Sequence, residues 1–88
     1  MEHEDDVKQM MMVLSAHSLK MPRNPYTSEL LAEMEDIQVE GAKILSAIES
    51  CKVGNLAHHS DFVKLSWRAV YTRYTQVIEV SERMSKIT

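Results

Sequence analysis

Residues 62–88, FVKLSWRAVYTRYTQVIEVSERMSKIT, decide the fold. Val63, Val70, Val77 and Met84 recur every seven residues, and Trp67 and Tyr74 follow the first two by four, so one helix face carries all six. The positions between them are mostly Lys, Arg, Thr, Gln and Glu, the composition of a solvated face. This stretch holds the only Trp, the only Phe and two of the three Tyr, so most aromatic burial is available here. Phe62, Ala69 and Val80 widen the apolar arc on one side, Tyr71 and Ile78 on the other. A two-helix hairpin does not need so wide an arc. Either an N-terminal helix closes a three-helix bundle, or another chain does.

The partner of this helix is legible upstream. Leu30, Met34, Ile37, Gly41, Ile44, Ile48 and Cys51 form a seam in alternating steps of four and three, with Leu31 and Leu45 as a second rib. Such a seam packs in 3-4 geometry on an antiparallel neighbour. Gly41 sits mid-seam, where Gly costs about 1 kcal/mol of helix propensity relative to Ala. The expected compensation is close approach of Trp67 or Tyr74. Residues 52–61, KVGNLAHHSD, read as the turn, with Gly54 at C′ and Asn55 or Ser60 as the next cap.

Ahead of these lies a shorter helix. Val7, Met10, Leu14, His17 and Met21 keep 3-4 spacing, Met11, Met12 and Val13 widen the surface, and Asp5 and Asp6 suit a helix N-terminus. Pro22 and Pro25 end it, and MPRNPY (21–26) is a hinge, with the second helix starting near Asn24 or Thr27. The expected architecture is all-α: an antiparallel hairpin with a shorter N-terminal helix, bundle-like, over one domain, 1–88. Helix 1 covers about 5–20, helix 2 about 26–51 and helix 3 about 58–86.

A chain of 88 residues buries only about 60–65% of its unfolded surface, so self-association or a partner would help it. Apolar content of 44% with 26% charged argues against disorder. The net charge of −3 divides unevenly: residues 1–50 carry ten acids and four bases, residues 62–88 five bases and two acids. An acidic front beside a basic last helix has complementary fields. One Cys excludes an internal disulfide and fits a reducing compartment. The acidic start MEHEDD is unlike a signal peptide, and no apolar run approaches the roughly 20 residues of a membrane span. Cytoplasmic localisation is expected, with export by a specialised machine left open.

Catalytic chemistry finds little support. His58, His59 and Asp61 lack zinc-ligand spacing, adjacent His side chains diverge, and Cys51 falls on the apolar seam. The carboxylates of helix 2 spread along a polar face, and there is no glycine-rich phosphate loop. No enzyme activity and no cofactor are expected. Lys64 and Arg68 share one edge of helix 3 with aromatics nearby, which makes them candidate nucleic-acid contacts. The sequence pI of 5.7 and the absence of a single basic stripe count against that reading. Protein–protein interaction, with another chain or a second copy, is the favoured class. Met10, Met11, Leu14, Tyr71 and Ile78 are the expected partner contacts; Ile37, Gly41, Ile44, Ile48, Val63, Trp67, Val70, Tyr74 and Val77 are the expected core seam.

The arrangement from Ser28 to Met84, an acidic heptad helix, a short turn and a longer aromatic-containing helix, resembles the needle subunits and small E-type co-chaperones of type III secretion systems. The Pro-containing turn of needle subunits is absent from VGNLAHHSD (53–61), which favours the co-chaperone version. That resemblance implies a cytoplasmic adaptor joining a tetratricopeptide-like chaperone to keep a needle subunit unpolymerised, through the faces of helices 2 and 3. The chain also resembles WxG-type secreted hairpins in length and in Gly54, although Lys52 stands where their Trp would.

Overall fold

A computed structural model of the protein describes residues 3–54 and 57–87, the side chains of 51–60, 85 and 87 excepted. Three helices follow one another: α1 (Glu4–Lys20), α2 (Ser28–Gly54) and α3 (Ala57–Ile87). No strand occurs among the described residues, so the fold is all-α. The bundle is elongated, 49 × 18 × 17 Å.

The helix ends follow local chemistry. Glu4, Asp5 and Asp6 occupy the first turn of α1, and His17 and Lys20 the last, each sign where the helix dipole favours it. Met21 turns extended (φ −80°, ψ 127°) because Pro22 follows. Asn24 then closes the turn that leads into the next helix: its Oδ1 accepts from the N–H groups of Tyr26 (2.9 Å) and Thr27 (3.1 Å). Thr27 Oγ1 in return accepts the Asn24 N–H at 3.1 Å, a reciprocal pair that fixes this turn. Pro25 lies in the turn of residues 25–27 just ahead of α2, where its fixed φ suits the turn and no N–H is called for.

Cross-links between helices fix their directions. Gln38 Nε2 donates to Ser15 Oγ at 3.0 Å, and Gly41 lies against Met10 and Met11, so α1 and α2 run antiparallel. Arg73 reaches back to Glu33, as an antiparallel α2–α3 pair requires. His3 stacks on Trp67 and His17 Nδ1 meets Ser81 Oγ at 3.0 Å, the same sequence offset at both ends, so α1 and α3 are parallel. The core is Val7, Met10 and Leu14 from α1, Met34, Ile37, Ile44 and Ile48 from α2, and Val63, Val70 and Val77 from α3, none above 5% exposed. Each such side chain contributes about 1.5–3 kcal/mol relative to staying in water. Trp67, Tyr74 and Ile78 pack against this cluster from its edge.

Four expectations need correction. Met10 and Leu14, expected at a partner surface, are 1% and 0% exposed, because α1 closes the groove between the longer helices and these two point into it. Gly41 is buried, but a side chain there would meet Met10 Cε (3.1 Å) and Met11 Sδ (3.2 Å), not Trp67 or Tyr74. The close neighbour is therefore α1. Helix α2 includes Gly54 and α3 starts at Ala57, so neither Gly54 as C′ nor Ser60 as cap holds. Asn55, and the side chains of Cys51, His58, His59 and Ser60, lie outside the described residues.

Candidate functional site

Helix α3 has three faces. One, led by Val63, Val70 and Val77, enters the core. A second presents Trp67, Tyr71 and Tyr74 beside the start of α1. The third turns away from both other helices, and there Leu65 is 68% exposed and Phe62 49%, with Ala69 exposed beside them. Spacings of three and four place these on one line along the helix.

The aromatic corner is a ladder. The His3 ring stacks on Trp67 (centroids 5.7 Å, 25° between planes), Trp67 tilts against Tyr71 at 5.3 Å, and Tyr71 against Tyr74 at 6.0 Å. Asp6, Gln9, Met10 and the three α3 aromatics line a cleft of about 380 Å³. Burial, and after it the neighbouring Tyr71, pushes the Tyr74 hydroxyl above the ordinary tyrosine value. Of the remaining expected partner contacts, Tyr71 is 48% exposed, Met11 is half-buried, and Ile78 packs on the core.

Around the corner, His3, Asp61, Lys64, Leu65, Trp67 and Arg68 line an open ledge of about 740 Å³. Lys64 and Arg68, the candidate phosphate contacts, do come together here. Neither makes an ion pair among the described residues, whereas Arg73 is held by Glu33 Oε1 (Nη2 at 2.6 Å, Nε at 2.7 Å) and Arg83 by Glu79. Asp61 sits within the same ledge. The free basic patch on this face is thus two cations tempered by one carboxylate, too small for strong non-specific phosphate binding, which needs several contacts.

A second, mixed surface follows the α1–α2 groove. Leu31, Met34, Val39 and Ala42, with the polar Ser18, Arg23, Glu35 and Gln38, line a cleft of about 370 Å³ there, and apart from it Met12 (73%) and Leu19 (84%) stand exposed on α1. Leu65, Met12 and Leu19 were not among the expected contacts. The signal for Leu65 is plain in hindsight: it is apolar at a position the heptad assigns to solvent. Among the described residues no group of three His, Cys, Asp or Glu could hold a metal ion, and no described helix is long and apolar enough to cross a membrane. Compared with family models, curated proteins and solved structures, the chain matches none.

Proposed function

We propose that the protein is a non-enzymatic binding module that works by associating through apolar helix faces. The observation that carries this is the pair Leu65 and Phe62, held in water on the face of α3 that neither α1 nor α2 covers. Leaving a Leu or Phe side chain in water forgoes about 1.5–3 kcal/mol of burial, which an associated surface recovers. The co-chaperone version makes the partner another small helical protein of a secretion system, and rests on the layout from Ser28 to Met84. A second reading, nucleic-acid binding, is favoured only by Lys64 and Arg68 standing free beside Trp67.

Native tagged purification from the source cell separates these, comparing wild type with Leu65→Glu and Met12→Glu. Both sites are exposed, so both variants should fold. The expected result is a stoichiometric protein partner that one variant loses, with an absorbance ratio at 260 and 280 nm typical of protein. Nucleic acid that survives moderate salt would move the second reading to first place. Partners unchanged in both variants would sink the proposal.

A further inference from the structure

We infer that the outward face of α3 is covered by a second copy of this chain, in an antiparallel two-fold contact centred on Leu65. The inference rests on the binding-module reading and names its partner. Leu65 lies about 160° around the helix from Val63, directly opposite the core. A two-fold axis beside it sets the residues before Leu65 against those after it in the other copy. Phe62, three residues before, then faces Ala69, four residues after. On the other flank Asp61, four before, faces Arg68, three after. At 1.5 Å rise per residue each pair is level to within about 1.5 Å along the axis.

Both pairs are complementary, and symmetry makes each twice. A large ring meets a small side chain on one flank, and opposite charges meet on the other, as a self-complementary interface requires. Asp61 and Arg68 have no ion-pair partner among the described residues, and they line the same ledge with Leu65. Lys64 lies further round, at the rim, where two like charges stay in water. The helices overlap over residues 57–73, about 25 Å, which is less than a standard interface, so the dimer is weak, with Kd of about 10–500 µM.

Sedimentation equilibrium between about 10 µM and 1 mM tests this. The wild-type mass should rise from 10.1 kDa toward twice that. Leu65→Glu should stay monomeric with an unchanged helical spectrum. Asp61→Arg and Arg68→Asp should each weaken association about tenfold or more, and the double exchange should restore it to within about threefold. A wild type that stays monomeric to 1 mM, a dimer that survives Leu65→Glu, or a double exchange that fails to restore association overturns the proposal. If the monomer nevertheless loses a cellular protein partner on Leu65→Glu, the self-contact falls and the binding-module reading stands. If instead it binds an oligonucleotide, losing it on Arg68→Asp without recovery in the double exchange, both fall.

Discussion

Gly41 offers the sharpest test of how α1 is held. A methyl group added there would lie 3.1 Å from Met10 Cε and 3.2 Å from Met11 Cγ and Sδ, closer than ordinary van der Waals contact. Replacing Gly by Ala in a helix interior gains about 1 kcal/mol of propensity. Overpacking a filled site costs about 1–3 kcal/mol. Met11 is half-buried and can swing outward, whereas Met10 is 1% exposed and its Cε must give by a few tenths of an ångström within the core. The net for Gly41→Ala is therefore a loss of about 0–2 kcal/mol. Gly41→Leu adds three further carbons to the same space and must lever α1 away, forfeiting part of the burial of Met10 and Leu14, at a cost above about 3 kcal/mol. Urea unfolding followed by circular dichroism and by Trp67 emission reads both, and the His3–Trp67 stack makes that emission sensitive to α1. In a Met11→Ala background the cost of Gly41→Ala should fall by at least about 0.5 kcal/mol, since the residues are in contact. Equal costs for Ala and Leu, or coupling of Gly41 to Trp67 instead of Met11, would refute the placement of α1 on this glycine.

Three further outcomes follow from the same geometry. Asn24→Ala removes the acceptor for two N–H groups and should cost about 0.5–2 kcal/mol in urea unfolding, with little loss on Asn24→Asp. The Arg73–Glu33 pair joins α2 to α3 at a site where both side chains are more than a third exposed (39% and 38%), so a double-mutant cycle should give no more than about 1 kcal/mol, shrinking in salt. Tyr74 ionises less readily folded than unfolded, so above the ordinary value of 10.0 the unfolded chain binds fewer protons and stability falls as pH rises. Its contribution is fully present below that value, and Tyr74→Phe should flatten the alkaline decline measured as the urea midpoint against pH.

The period of the chain, and not its turns, carried the readable part of the fold. Ile37, Ile44 and Ile48, with Val63, Val70 and Val77, recur at spacings that only a helix puts on one face, and all six are buried. Asn24, Pro25 and Thr27 were legible as a helix start because their side chains act within three residues. The other end of α2 was not. Gly54 permits a left-handed stop but does not force one, and it is itself part of α2. The 3-4 spacing of Val7, Met10 and Leu14 marked the inward face of α1, but spacing alone does not say whether such a face meets its own chain or another. The gap at Gly41, which Met10 and Met11 approach, is the contact that seats this face on α2.

The unequal helix lengths explain why surplus apolar surface gathers where it does. Helix α3 has 31 residues, α2 27 and α1 only 17. Contacts from His3–Trp67 to His17–Ser81 place α1 along the middle and far part of α3. The stretch of α3 before Trp67 lies beyond that cover, and Phe62 and Leu65 are there. A third helix as long as the other two would still leave Leu65 in water, because it points away from the groove that α1 fills. Its exposure is thus set by the direction of the side chain and not by the length of α1. Intramolecular packing cannot remove it, and an intermolecular contact can. That separates two roles that one substitution each can probe: Leu14→Ala, in the core, should lower stability by about 2–5 kcal/mol, whereas Leu65→Glu should leave stability nearly unchanged and alter what the protein binds.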